Sequence, residues 1–187
     1  MGHGAQTSGL LEVLPSAGPS PELGEAAGVY GWLVGSWITR AIDYLPDGQT
    51  REAEGEWHFG WVLEGRAVQD VWICPRRSLR GPGLSKAGNR YGTTLRVYDQ
   101  GLKAWRVTWI NPVTGMRNDL VGLRRGADIV QEGADPEGHP IRWVFTDIRP
   151  GAFRWYGERS IDGGKTWRLE VEFFARRSEP TASGKER

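Results

Sequence analysis

Glu56-Trp57-His58-Phe59-Gly60-Trp61-Val62-Leu63-Glu64-Gly65-Arg66-Ala67-Val68-Gln69-Asp70-Val71-Trp72 is the stretch that decides the fold. Aromatic residues fall at every second position, Trp57, Phe59 and Trp61, and a period of two belongs to a strand with one buried face. Glu64-Gly65 interrupts the run and the alternation then resumes, which is how a hairpin reads. A two-residue turn there sets Leu63 opposite Arg66, Trp61 opposite Val68, Phe59 opposite Asp70 and Trp57 opposite Trp72. Directly opposed residues share a face, so Arg66, Val68, Asp70 and Trp72 are expected to point inward with the aromatics.

Working outward, the same alternation predicts ten strands. They are Trp37–Leu45, Arg51–Leu63, Arg66–Cys74, Tyr91–Asp99, Lys103–Asn111, Met116–Arg124, Ala127–Gln131, Pro140–Arg149, Phe153–Arg159 and Thr166–Arg177. Nearly every pair is separated by turn chemistry, such as Pro46-Asp47-Gly48, Gln100-Gly101, Arg125-Gly126 and Pro150-Gly151. Connections this short cannot make parallel crossovers, so the chain must run up and down. Ten such strands close most naturally into a barrel, because closure removes both sheet edges. The expected fold is therefore all-β, a ten-stranded antiparallel up-and-down barrel. One short helix is expected before it, from about Pro21 to Leu33, with Ser20 as its cap and Leu23, Ala27, Tyr30 and Val34 on one face.

The 187 residues fit one domain. Residues 1–20 read as a disordered leader, 21–177 as the barrel domain and 178–187 as a disordered tail. With 24 Lys plus Arg against 23 Asp plus Glu, no overall field favours nucleic acid. The single cysteine, Cys74, excludes an internal disulfide and a thiolate zinc site. No apolar run is long enough to span a membrane as a helix, and no signal peptide is recognisable, so a cytoplasmic protein is expected. Ten tryptophans with 27 glycines suit a turn-rich β-protein.

Two motifs sharpen this. Gly35-Ser36-Trp37 follows the expected helix and opens the first strand, and it resembles the G-x-W signature of the lipocalin-like (calycin) β-barrels. The resemblance implies that Trp37 plugs the closed end of the barrel and that Arg176 or Arg177 of the last strand lies across it. Leu33-Val34-Gly35-Ser36-Trp37 and Trp61-Val62-Leu63-Glu64-Gly65-Arg66 also resemble an uncharacterised bacterial family of calycin-like domains, over about Leu23 to Arg177. Such barrels include carriers and occasional enzymes, so the resemblance implies a fold and only loosely a function. The second motif, Ser160-Ile161-Asp162-Gly163-Gly164-Lys165-Thr166-Trp167, fits the Asp-box pattern. As a single copy it indicates one well-made hairpin whose Asp and Ser bond the turn backbone and whose Trp anchors it in the core. It is no sign of a glycosidase.

The preferred function is binding of a small apolar or aromatic organic molecule inside the barrel. Trp57, Phe59, Trp61, Trp72, Trp105, Trp109 and Trp143 would supply the walls, against the plainer reading that they simply fill a core. Asp70, Tyr91, Asn111 and Asp147 are candidate orienting groups, with Asp43 a further inward carboxylate. This places Leu95 and Val97 on one face with Trp105, Val107, Trp109 and Asn111, given a three-residue loop after Asp99. Ile141, Trp143, Phe145 and Asp147 form another inward set, and Trp167, Leu169, Val171 and Phe173 a third. The strand Phe153–Arg159 has no determinate phase.

The alternative is a cofactor-independent isomerase or cyclase with Asp70 as acid/base and Tyr91 as a hydrogen-bond donor. Asp70 is equally able to pair with an arginine or a backbone amide. A third possibility is a solidly filled barrel. The loop from Pro75 to Arg90 carries Arg76, Arg77, Arg80, Lys86 and Arg90 without an acid. It reads either as a solvated loop or as a basic portal for ligands bearing a carboxylate or phosphate. His3, His58 and His139 are not placed to hold haem or metal, and no Ser–His–acid arrangement is visible, so no cofactor or metal is expected.

Overall fold

The computed structural model describes residues 9–84 and 90–178. Ten antiparallel strands form the barrel: β2 (Gly35–Tyr44), β3 (Thr50–Val62), β4 (Ala67–Cys74), β5 (Arg90–Asp99), β6 (Ala104–Asn111), β7 (Met116–Arg125), β8 (Asp128–Ala134), β9 (Pro140–Arg149), β10 (Ala152–Arg159) and β11 (Arg168–Arg177). Each pairs with its neighbour in sequence, and β11 pairs with β2 to close the ring. The meander expected from the turn spacing is the observed topology. A two-residue strand β1 (Pro15–Ser16) adds to β3 opposite Val62 and Trp61, and a helical turn α1 (Gly9–Val13) precedes it. Both lie within the segment expected as a leader. Residues 1–8 of that segment and residues 179–187 of the expected tail lie outside the described residues.

The helix expected before the barrel is built from short pieces. A 3-10 segment, Pro21–Ala26, is kinked at Gly24 and leads into α2 (Ala27–Tyr30) and a second 3-10 turn, Gly31–Leu33. Ser20 caps its start by accepting from the Glu22 N–H at 3.4 Å. Leu23, Tyr30 and Leu33 are buried, so the segment presents an apolar face to one end of the barrel. Trp37 sits there, 1% exposed, and its indole N–H donates to the Leu33 carbonyl at 2.7 Å. Arg177 lies over the Trp37 ring at 4.3 Å and donates to the carbonyls of Val34 and Trp32. A guanidinium over an indole face, with its donors on the last carbonyls of a helical segment, closes this end against water.

Cross-strand register follows the sequence reading at the deciding hairpin. Trp57 pairs with Trp72, Phe59 with Asp70 and Trp61 with Val68. The turn itself differs: Val62 pairs with Ala67, leaving four residues, Leu63–Arg66, outside the ladder. Leu63 and Arg66 are therefore exposed rather than inward, and Arg66 bonds Glu22 and Glu64 on the surface.

The loop after Asp99 is also longer than expected. Asp99 pairs with Ala104, so four residues intervene and the parity of β5 is reversed. Thr94, Arg96 and Tyr98 oppose Trp109, Val107 and Trp105, while Leu95 and Val97 face outward. In β10 the phase left open is settled, with Phe153, Trp155 and Gly157 inside. A bulge at Glu170 shifts the register of β11, so Val171 and Phe173 stay inside but Leu169 moves to the face of Glu158 and Arg142.

The Asp box folds as its chemistry dictates at the backbone. Asp162 accepts from the Lys165 and Thr166 N–H groups and from the Thr166 hydroxyl, and the Ser160 hydroxyl accepts from the Gly164 N–H. These hydrogen bonds hold the Asp162 carboxyl down at about 2. Its Trp167 does not anchor in the core. It lies on the outer face under Arg142, 4.2 Å from the guanidinium carbon.

Candidate functional site

One half of the barrel interior is packed and the other is open. At the plugged end Tyr30 is fully buried; its hydroxyl accepts from Gln131 at 2.9 Å, and its ring meets Trp105 edge-on at 5.2 Å. Burial pushes its phenol up to about 12. Above this layer Asp70 and Arg96 form an ion pair, Nη1 to Oδ2 at 2.5 Å, at 1% and 2% exposure. The second carboxylate oxygen of Asp70 accepts from the Thr94 N–H at 3.2 Å. Aromatic rings wall in the guanidinium, Tyr30 at 5.2 Å, Phe59 at 5.5 Å and Phe145 at 5.9 Å.

Beyond the pair a cavity of about 650 Å³ reaches the far end of the barrel, between the tips of the β6–β7 and β8–β9 hairpins. Its walls carry Trp57, Trp72, Trp109, Trp143, Trp155 and Phe173. Three of these rings are stacked in series: Trp72 on Phe173 at 4.7 Å, and Phe173 on Trp155 at 4.6 Å. Arg90 extends the series, 5.0 Å above Trp72, while bonding Asp43 at 2.6 Å and the Cys74 thiol at 3.3 Å.

Two glycines make the room. A Cβ on Gly92 would lie 2.1 Å from the Trp109 ring, so only glycine lets that indole lie flat on β5. A Cβ on Gly157 would come within 3.0 Å of Val171 and 3.3 Å of both Trp143 and Trp155. Several polar atoms in the walls lack partners among the described residues: the indole N–H groups of Trp57 and Trp72, and the side-chain oxygen of Asn118.

Of the residues read from sequence as wall or orienting groups, Trp57, Trp72, Trp109 and Trp143 line the cavity. Phe59, Trp61 and Trp105 belong to the packed cluster: Trp61 lies against Gly31 and Trp105 against Tyr30. Asp70 does not line the cavity, because its carboxylate is held by Arg96 and Thr94 beneath it. Tyr91 faces outward, 40% exposed with Arg80 over its ring, since the reversed parity of β5 puts Gly92 inside instead.

Asn111 caps the β6–β7 hairpin, accepting from the Val113 and Thr114 N–H groups, and Asn118 takes the inward amide position opposite Trp109. Asp147 is exposed at a break in the β9–β10 register and has φ +50. Sequence reasoning missed Thr94, Arg96 and Asn118; it placed Phe173 inward without assigning it to the site, and it left Trp155 open with the phase of its strand. The order Trp155, Gly157 with an intervening Tyr156 was a usable signal for β10, since a glycine between bulky inward rings marks a close approach.

The portal loop is less basic than its composition. Arg76 pairs with Glu54, Arg77 with Glu56 and Arg90 with Asp43, while Arg80 donates to the Pro75 carbonyl. Lys86 lies outside the described residues.

Two polar clusters depart from the sequence reading. Asp135, Glu137 and His139 bring ligand atoms within 4.8 Å of one another at the cavity rim. Asp135, however, is engaged by Arg159 at 3.0 Å and by both the backbone and the ring of His139, which makes it a hairpin cap. On the outer face, Ser36 Oγ lies 2.9 Å from His58 Nδ1, and His58 Nε2 lies 3.0 Å from Glu56, a Ser–His–acid chain not foreseen. It runs along one face of two paired strands and serves to fix Glu56, which also accepts from the Arg77 backbone and guanidinium.

Burial raises the Glu56 carboxyl, but the bonds from Arg77 and His58 and the charge of Arg77 outweigh it and bring it down to about 2. Its folded value lies below the ordinary 4.5. The stabilisation is therefore complete above about pH 5 and is lost as pH falls through the folded value. Glu56→Gln is expected to lose about 1–3 kcal/mol at neutral pH and to flatten the fall in stability on acidification. Denaturant unfolding at a series of pH values checks this; an unchanged slope would remove Glu56 as the source.

The barrel has the lipocalin-like (calycin) fold, and solved structures agree. The crystal structure of Rv2717c from M. tuberculosis superposes with a TM-score of 0.60 at 14% identity, covering 86% of this chain and 99% of that one. The S-type phycobiliprotein lyase CPES from Guillardia theta superposes with a TM-score of 0.55 at 10% identity, covering 83% and 93%. No family model and no curated protein matches the chain.

Proposed function

We propose that this protein binds a small organic molecule with a flat, largely apolar body in the cavity between Trp109, Trp143 and the Trp72–Phe173–Trp155 stack. The observation that carries the reading is the cavity itself. About 650 Å³ of space walled by indoles is the size and chemistry of a small-molecule site rather than a packing fault. Glycines at positions 92 and 157 support it, since larger residues there would push the indoles into that space. The enzymatic alternative with Asp70 as acid/base gains no support, because the Asp70 carboxylate is paired below the cavity floor.

Native mass spectrometry of the gently purified protein, set against its denatured mass, tests the reading. A reproducible extra mass that leaves on denaturation is expected, and Gly92→Val, which drives Trp109 into the cavity, is expected to lower its occupancy at least about tenfold. A wild-type mass without adduct, together with no calorimetric heat from a panel of planar aromatics, would show that the barrel does not take ligands of this kind.

A further inference from the structure

We propose that the Asp43–Arg90 ion pair is the specificity-determining element of the cavity, and that it selects a ligand whose enclosed part is uncharged. The proposal rests on the binding function above and adds the charge class of the ligand and the residues that set it. Asp43 belongs to β2 and Arg90 to β5, so the pair reaches across the inner face of β3 and β4, and both side chains line the cavity. Arg90 is held on three sides, by Asp43 at 2.6 Å, by the Cys74 thiol at 3.3 Å and by the Trp72 ring at 5.0 Å.

The other charged groups of the lining are compensated too. Arg96 has Asp70, Arg159 has both Asp135 and Glu170, and Glu158 has Arg142. Glu137 is exposed on the β8–β9 turn, where water at the rim solvates it. A charged group entering past the rim therefore gives up its hydration and finds every counter-ion among the described residues already engaged, whichever sign it carries. A neutral flat body gives up little and gains the indole faces. Among the three arginines Arg90 is the one that a ligand could use if its partner were removed. Arg96 is 2% exposed and walled by rings, and Arg159 keeps a second carboxylate, whereas Arg90 is 27% exposed with Asp43 as its one carboxylate. The same holds in reverse for Asp43, which is 18% exposed. Taking away either member converts a neutral wall into a charged one.

Three probes with one ring framework test this: 9-anthracenemethanol, 9-anthracenemethylamine and anthracene-9-carboxylate, which are neutral, cationic and anionic at neutral pH. At a liquid-like share of about 30 Å³ per non-hydrogen atom, a cavity of about 650 Å³ has room for roughly 20 such atoms, enough for three fused rings and one substituent. The anisotropy of the anthracene emission reads binding. The methanol is expected to bind at least about tenfold more tightly than either charged probe. Asp43→Asn is expected to raise the affinity of the carboxylate about five- to tenfold, and Arg90→Gln that of the amine by a similar factor, neither helping the opposite charge. A charged probe that binds the wild type as tightly as the methanol would overturn the assignment and leave the binding function standing; this ranking needs no variant to fold. Folded variants in which neither charged probe gains would overturn the role of the pair. If no probe binds but the native mass shows an adduct, a neutral ligand on identification supports the assignment and a charged one overturns it. No probe binding and no adduct would overturn both this inference and the binding function.

Discussion

Arg96→Met is expected to destabilise the barrel by about 3–5 kcal/mol, the usual cost of stranding one partner of a buried ion pair. Arg96 and Asp70 are each almost fully enclosed, and the guanidinium is ringed by Tyr30, Phe59 and Phe145. Water cannot replace the lost arginine, so the Asp70 carboxylate would retain only the Thr94 N–H. Asp70→Asn should fail for the mirror reason, leaving a buried guanidinium without its counterion. The double variant Arg96→Met/Asp70→Leu removes both charges and should recover most of the loss, because a well-packed apolar pair is no worse than a buried salt bridge. Denaturant unfolding of the three variants measures this. A single-variant loss below about 1 kcal/mol would mean that the pair behaves as a solvated one.

The second large effect concerns the plug. Trp37→Ala is expected to cost about 3–5 kcal/mol, since it removes a buried indole and leaves a void that rigid neighbours cannot fill. The ring is held on three sides, by the Leu33 carbonyl, by Phe153 at 4.7 Å and by Arg177. Arg177→Ala should cost less, because its guanidinium is partly in water, but should act through the same contact. Double-variant thermal unfolding checks this: the loss from Arg177→Ala should shrink in the Trp37→Ala background. Additive losses would separate the arginine from the plug.

Much of this barrel was readable from residue order, for a physical reason. Where bulky aromatics alternate with polar residues, as from Trp57 to Trp72, one face has no alternative to burial, and the register follows. The plug was readable because Gly35-Ser36-Trp37 sits between a helical segment and a strand, with arginines at the last strand's end. Errors entered where parity depended on one residue of a loop. A four-residue rather than three-residue connection after Asp99 turned Leu95 and Val97 outward and brought Arg96 to the centre. No local pattern favours a buried arginine over two aliphatics. Asp147 and Trp167 were lost to irregularities in the ladder, which alternation alone does not reveal. Asp70 was singled out correctly as buried, but its partner lay on the strand whose phase was misread.

The division of the interior into a packed end and an open end also sorts the chromophores. Trp32, Trp37, Trp61 and Trp105 belong to the plugged end, Trp57, Trp72, Trp109, Trp143 and Trp155 to the cavity walls, and Trp167 to the outer surface. Near-ultraviolet emission from this chain is thus a sum of two reporters with separate meanings. Light from the first group follows the integrity of the closed end and should be insensitive to what enters the mouth. Light from the second should be extinguished by an occupant that quenches indole only on contact, such as one carrying a heavy atom or a short-range electron acceptor. Partial quenching that stops at a plateau, with the remaining emission blue-shifted, is the optical form that this division of the barrel should take.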